Sequence, residues 1–245
     1  MPGALYHDMH MEIYYKFLFT IIACTVLLHD KAEAQFGASI SYDSQYAPNW
    51  ETLIDDSDSL FVPGTFMTFG VNYWLRPKNL RIEILPEIAY RRNIGNTGNS
   101  GLVARTHSFD LNINALVYVF DLGNDCNCPT FSKQGNFFRK GFYLEASAGG
   151  SLGQFDIRRT VGGEGRKLSQ SNRLLGKAGV GAGLDFGISD LVTISPWAKY
   201  EWHFGGRWDQ LSEFSNGDSS LETSPLSYLR FGLRLMFRPD YRPFR

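Results

Sequence analysis

The chain has 245 residues, 43% of them hydrophobic, and a formal net charge of −1. This length is within the range of one all-β domain, and the near-neutral charge gives no argument for binding nucleic acid or an acidic substrate. The mean hydropathy of −0.21 resembles that of a soluble protein. It does not exclude a membrane barrel, because only alternate residues of each strand in such a barrel face lipid.

The N-terminal segment carries an export signal. An apolar run at residues 17–28 follows Lys16 and precedes the small-x-small sequence Ala32-Glu33-Ala34. A spanning helix needs roughly 18 or more apolar residues, so the run predicts a cleaved signal peptide over residues 1–34 and an exported domain over 35–245. A buried core helix and, through Cys24, a lipoprotein signal are the alternatives. No other run is apolar enough for a helix span, so membrane insertion must use strands.

Apolar and polar residues alternate in eight separate runs of the exported domain. Successive side chains of a strand point to opposite faces, so each run predicts a strand with one apolar and one polar face. In the last run, for example, Leu233 and Leu235 share the apolar face, and Arg234 lies on the other. Pro86 interrupts the third run and predicts a bulge or local bend. The runs are 36–43, 64–76, 80–92, 109–119, 141–153, 174–188, 192–204 and 225–239.

The connections between the runs also alternate. Those after the first, third, fifth and seventh runs are long and polar, and those after the second and sixth are minimal. Short turns on the periplasmic side, long loops outside and aromatic residues at both membrane interfaces are typical of bacterial outer-membrane barrels. The pattern predicts an all-β, eight-stranded antiparallel up-and-down transmembrane β-barrel. A soluble lipocalin-like barrel, with its apolar face inward, is the alternative. The outward aromatics near run ends are Tyr42, Tyr90, Trp202 and Phe204 at one end and Phe36, Tyr73, Phe142 and Phe237 at the other.

These features together resemble the small outer-membrane β-barrel proteins of the OmpA/OmpX type and the PorT-like barrels associated with secretion in some Gram-negative bacteria. The resemblance covers nearly all of the mature chain, but it is architectural and no short motif carries it. It implies a location in the outer membrane of a Gram-negative bacterium, contact with lipid and lipopolysaccharide, and insertion by the barrel-insertion machinery. Such chains often stop at the aromatic residue of the last strand, whereas this one continues beyond Phe237, so Phe244 is a second candidate for recognition by that machinery.

The polar faces of the runs carry almost equal numbers of positive and negative residues. An eight-stranded barrel has an interior just wide enough for side chains, and an unpaired buried charge costs several kcal/mol. We therefore expect a structural network of ion pairs inside the barrel, with a narrow conduit as the alternative. The predicted members are Arg81, Glu83, Glu87, Arg91, Asp110, Glu145, Lys177, Asp185, Lys199, Glu201, Arg230, Arg234 and Arg238.

Two histidine pairs raise the alternative of a lipid-modifying enzyme. Glu201 and His203 lie two residues apart on one strand face, an orientation that suits an acid–base pair, and His107 adjoins Ser108. No nucleophilic hydroxyl matches Glu201 and His203, and no deacylase-like or acyltransferase-like signature surrounds either histidine. The sequence therefore predicts no catalytic residue, no cofactor and no metal site.

The fourth connection, residues 121–140, is longer than a periplasmic turn should be. It holds the sequence Cys126-x-Cys128 and the apolar pair Phe137 and Phe138. Two thiols without a nearby histidine are too few for a zinc site, whereas a strained disulfide or pairing with a partner suits an oxidising compartment. The segment is either a decorated turn or a docking element for a periplasmic or outer-membrane protein, with both phenylalanines as anchors.

The sequence thus predicts a non-enzymatic outer-membrane barrel with a structural, adhesion or secretion-associated role. Its outer loops or its long periplasmic turn would form the interaction surface. The loops around Trp50 and Trp208 are candidates for contact with lipopolysaccharide or neighbouring barrels.

Overall fold

The computed structural model describes residues 35–48, 65–75, 82–93, 102–120, 141–161, 164–189, 191–207 and 222–237. Within these ranges, no helix is long and apolar enough to cross a membrane. The strands are β1 (Gln35–Tyr46), β2 (Thr65–Trp74), β3 (Ile82–Asn93), β4 (Leu102–Val117), β5 (Phe142–Val161), β6 (Glu164–Leu184), β7 (Phe186–Gly187), β8 (Val192–Phe204) and β9 (Leu226–Phe237).

The strands form a closed barrel. From β1 to β6 each strand pairs antiparallel with the next one in the chain, β6 pairs with β8, β8 with β9, and β9 returns to pair with β1. The two-residue β7 continues β6 beyond Asp185 and pairs with β8. β6 and β7 therefore count as one strand of the wall, and the wall has eight strands. The predicted eight-stranded antiparallel up-and-down barrel is confirmed. We call the end at which β1 begins and β9 ends the turn end, and the opposite end the loop end.

The longest strands extend into segments predicted to be loops. β5 has 20 residues and β6 has 21, whereas about 9–11 tilted residues cross a bilayer. The predicted polar connection after residue 153 is therefore wrong: β5 and β6 continue as a paired hairpin with one register shift, between Ile157 and Arg158. Backbone pairing holds this hairpin, and its sequence lacks apolar alternation because it extends past the apolar part of the wall. β4 likewise begins inside the predicted third loop.

Pro86 does not mark a bulge. It lies opposite Ile113 of β4, in register with the pairs on either side of it. On its other side, the ladder to β2 stops at Asn72 opposite Glu87 and resumes in the same register at Leu75 opposite Ile84. Proline lacks the N–H group that this ladder needs, so Pro86 leaves a gap in the hydrogen bonds without shifting the strand.

The two faces of the wall differ as the alternation predicts. On β9, every second residue from Leu229 to Phe237 is apolar and 42–52% exposed. The residues between them include Arg230, Arg234 and Met236, which are almost fully buried. The apolar face therefore points out of the barrel and the charged face points in. This is the reverse of the soluble alternative, in which apolar side chains would fill the interior.

Aromatic residues gather on the outer face near both ends. At the turn end, Phe36 packs against Tyr73 with ring centroids 5.2 Å apart, and Phe120 and Phe142 are 5.4 Å apart. At the loop end, Tyr90 packs against Phe109 at 5.0 Å and Tyr200 against Trp202 at 4.9 Å. Two such belts match the interfacial girdles of a transmembrane barrel. Of the predicted girdle residues, Phe36, Tyr42, Trp202, Phe204 and Phe237 are exposed, and Tyr73, Tyr90 and Phe142 are half-buried.

Large inward side chains near the turn end fit only because glycines face them. Trp197 of β8 lies directly opposite Gly232 of β9 and extends over it. A Cβ atom at Gly232 would collide with the Trp197 ring and lie 2.8 Å from the carbonyl oxygen of Ile40. The glycine thus makes room for an indole in the barrel interior, a close approach that no larger residue permits.

We predict that Gly232→Ala lowers the free energy of unfolding by about 1–3 kcal/mol, the usual cost of overpacking. Urea titration in lipid vesicles, followed by the mobility of unboiled samples on gels, measures the change. Gly150→Ala is the matched control, because a Cβ atom at Gly150 has no neighbour closer than 3.7 Å. Equal midpoints for the two variants would show that the Trp197 contact is not tight.

Candidate functional site

The barrel interior contains most of the predicted charge network. Eleven of the thirteen predicted residues lie within the described part of the chain, and all eleven are buried. Arg81 and Arg238 lie outside the described residues. The buried eleven are Glu83, Glu87, Arg91, Asp110, Glu145, Lys177, Asp185, Lys199, Glu201, Arg230 and Arg234.

Glu201 of β8 lies at the centre of this network. Its Oε1 atom accepts hydrogen bonds from Arg91 Nη2 at 3.0 Å and His203 Nε2 at 2.9 Å, and lies 3.5 Å from Lys177 Nζ. Its Oε2 atom accepts from Arg230 Nη1 at 3.0 Å and lies 3.5 Å from Lys199 Nζ. Four cations from β3, β6, β8 and β9 thus converge on one carboxylate. The contact joins strands on different sides of the barrel across its interior.

Two aspartates complete the network on the loop side of Glu201. Asp43 Oδ1 accepts from Arg230 Nε at 3.0 Å, and Asp43 Oδ2 accepts from the Thr68 hydroxyl at 2.6 Å and lies 3.3 Å from Arg91 Nε. Sequence reasoning placed Asp43 on a polar face but left it out of the network. Its charged partners come from β3 and β9, and only the closure of β1 onto β9 brings Arg230 beside it.

Asp110 is the second of these aspartates, and it links the same arginine to β6. Its Oδ2 atom accepts from Arg91 Nη2 at 3.0 Å and from Lys177 Nζ at 2.8 Å, and its Oδ1 atom accepts from the Ser151 hydroxyl at 2.6 Å. Charge-assisted contacts of this length are roughly twice as strong as neutral ones. They offset part of the large cost of burying the charges.

Glu145 and Glu87 lie on the turn side of the network, where they contact its cations and polar side chains. Glu145 lies 3.3 Å from both Lys199 Nζ and Arg234 Nη2. Glu87 accepts from the Asn112 amide at 3.1 Å and from the Ser39 hydroxyl at 3.0 Å. The central network is therefore balanced, with five cations and five carboxylates: Arg91, Lys177, Lys199, Arg230 and Arg234 with Asp43, Glu87, Asp110, Glu145 and Glu201.

An apolar and aromatic layer fills the barrel at the turn end. We call it the aromatic plug, and sequence reasoning missed it because its members fall on polar faces. The Tyr118 hydroxyl lies 2.6 Å from both Glu83 Oε2 and Asp185 Oδ2. Cations of the network lie 5.5–5.7 Å from the centre of the Trp197 ring, within the range of cation–π attraction. The plug is Trp74, Leu85, Leu116, Tyr118, Tyr143, Trp197 and Met236.

The two histidine pairs are not arranged for lipid chemistry. His203 is buried inside the barrel, and the carboxylate it contacts is already bound by cations. His107 lies on the outer face, where Nδ1 is 2.8 Å from the Tyr90 hydroxyl, whereas Ser108 is buried on the inner face. The His107–Ser108 hypothesis is therefore wrong, because adjacent residues of a strand point to opposite faces.

No metal centre is visible in the described ranges, where no group of three or more His, Cys, Asp or Glu side chains could hold an ion. The long fourth connection at 121–140, with Cys126, Cys128, Phe137 and Phe138, lies outside those ranges. So do the loop residues Trp50 and Trp208 and the segment 1–34. Their predicted roles as disulfide, docking element, lipopolysaccharide contact and signal peptide stay predictions.

The chain is similar to several solved structures at low sequence identity. No family model matches it, and no curated protein matches it either. Solved structures that resemble it include Neisserial surface protein A (NspA), with 10% identity, a TM-score of 0.43, and coverage of 84% of this chain and 97% of that one. Ail, the attachment invasion locus protein of Yersinia pestis, is 13% identical with a TM-score of 0.43, and the match covers 84% of this chain and 99% of that one. A major outer membrane protein from Thermus thermophilus is 12% identical with a TM-score of 0.43, and the match covers 83% of this chain and 99% of that one.

We predict that Glu201→Gln lowers the free energy of unfolding by about 3–5 kcal/mol, because four buried cations lose the carboxylate they share. Urea titration in lipid vesicles measures the loss. Glu222→Gln is the control, since Glu222 pairs with the 55% exposed Arg207 at 3.2 Å, and such a pair contributes about 0–1 kcal/mol. A Glu201→Gln midpoint no lower than that of Glu222→Gln would contradict the central position of Glu201.

Proposed function

We propose that this chain is a non-enzymatic integral outer-membrane protein with a solid barrel, which acts through the parts of its surface that extend beyond the lipid. The observation that carries the proposal is the arrangement of the wall, apolar outside and charged inside. Monomeric soluble proteins rarely expose contiguous apolar patches above a few hundred Å². Here exposed apolar side chains occur on all eight strands of the wall, and two aromatic belts border them. Lipid is the solvent that suits this surface.

The interior supports a structural role over transport. The ion network crosses the middle of the barrel, and the aromatic plug fills the turn end. Eight strands leave an interior that side chains can fill completely. Those side chains stabilise the barrel wall by joining strands that are not neighbours, as Arg91 of β3 does with Glu201 of β8.

Contacts with other molecules would then be made by the parts of the protein that lie outside the membrane. The β5–β6 hairpin is about twice as long as a bilayer crossing requires, so it extends beyond the loop end as a paired ribbon. A rigid barrel that holds such a ribbon suits an adhesion or structural protein. A secretion-associated, PorT-like role would use the same surfaces or the long turn at 121–140, and it is the finer form of this proposal.

We expect the protein to fractionate with the outer membrane, to migrate faster on gels when unboiled, and to produce no conductance steps in planar bilayers. The physical reasons are the apolar outer wall, its closure, and its filled interior. Lipid A from the same cells, measured by mass spectrometry, should equal that of cells lacking the protein. Recovery as a soluble protein would contradict the membrane assignment. Stepwise conductance would favour a channel, and altered lipid A would favour an enzyme.

A further inference from the structure

Two exposed arginines lie on the outer face of the barrel just beyond the aromatic belt of the loop end. Tyr90 and Phe109 lie opposite each other on β3 and β4, and the next outward pair toward the loop end is Arg92 opposite His107. Arg105 follows on β4. We call Arg92 and Arg105 the cationic band.

Both arginines of this band lack an ion-pair partner among the described residues. Arg92 and Arg105 are exposed, and neither makes an ion pair or a side-chain hydrogen bond within the part of the chain that the structure describes. The carboxylate opposite Arg105 is Asp156, which is buried, and no ion pair joins the two. By contrast, the exposed Arg207 at the same end is paired with Glu222 at 3.2 Å.

We propose that the cationic band binds the phosphate groups of lipopolysaccharide in the outer leaflet, an inference that rests on the membrane location proposed above. Aromatic girdle residues mark the interface between hydrocarbon and headgroups, so cations one or two positions beyond Tyr90 and Phe109 lie at headgroup depth. Arginine suits this role because its planar guanidinium forms paired hydrogen bonds with phosphate.

The surface below the band favours a lipid over a soluble anion. Ile88, Phe109, Leu152 and Leu174 are exposed on β3, β4, β5 and β6, toward the middle of the wall. A ligand with phosphates at one end and acyl chains at the other would contact both the cations and this apolar surface. A soluble anion would contact only the cations.

The test is binding of lipid A carrying two phosphates to the purified mature protein in detergent micelles, measured by native mass spectrometry. Arg92→Gln combined with Arg105→Gln should weaken binding by about tenfold or more for each arginine, as expected for charge-assisted hydrogen bonds. Arg207→Gln is the matched control, and it should bind like the unsubstituted protein. Lipid A without phosphates, and the deacylated bisphosphorylated disaccharide, should each bind more weakly.

Three results would overturn the proposal. They are full binding by the double variant, equal binding of phosphate-free lipid A, and equal binding of the soluble disaccharide. The heat-dependent gel shift of the same samples separates this test from that of the proposed function. If the shift is kept while binding is indifferent to Arg92 and Arg105, only the lipid inference fails; if the shift is absent, the barrel assignment fails.

Discussion

The structure depends on where this chain places its charges. Burying an unpaired charge costs several kcal/mol, and a lipid-facing wall leaves the barrel interior as the one place where charged strand residues can pair. The network around Glu201 meets this requirement with both oxygens of one carboxylate bound by cations. Because its members come from strands across the barrel, ion pairs such as Arg91–Glu201 join strands that are not neighbours in the wall. Closure of the wall therefore brings together the charges that neutralise one another.

The filled interior has a consequence for function. An ion network and an aromatic plug occupy the barrel interior in the part that the structure describes, and for this reason we propose that the protein acts through its outer surface. At the loop end, the described part of the chain has a long β5–β6 hairpin, and the exposed Arg92 and Arg105 lie above an aromatic belt. The interior stabilises the barrel, and the outer surface determines what it contacts.

Much of the wall could be predicted from the sequence because a strand's faces follow from a period of two. Arg230 and Arg234 could be placed inside, and Leu233 and Leu235 outside, without knowledge of any partner strand. Contacts that depend on register could not be predicted in this way. The pairing of Asp43 with Arg230 requires closure of β1 onto β9, and no local pattern specifies that closure.

The aromatic plug and the hairpin were missed for related reasons. Trp197 and Tyr118 lie on otherwise polar faces, where alternation predicts charge rather than an aromatic ring, and the space for Trp197 comes from Gly232 on another strand. The outer parts of β5 and β6 have no apolar face, so the hydrophobic pattern disappears while the backbone ladder continues. Pro86 was predicted to mark a bulge or local bend, yet the register of β3 with β4 continues through it without a bulge.

The proposed membrane location requires that the apolar face of the wall contacts lipid while the charges lie inside the barrel. It can be tested with a nitroxide label at Phe231→Cys, Leu233→Cys or Leu235→Cys, with Cys126 and Cys128 replaced by serine, in membrane vesicles. Collision with dissolved oxygen and with a water-soluble relaxant would be measured by electron paramagnetic resonance. We expect frequent collision with oxygen and infrequent collision with the relaxant at all three positions. Frequent collision with the water-soluble relaxant would show that this face meets water, and it would contradict a lipid-facing wall.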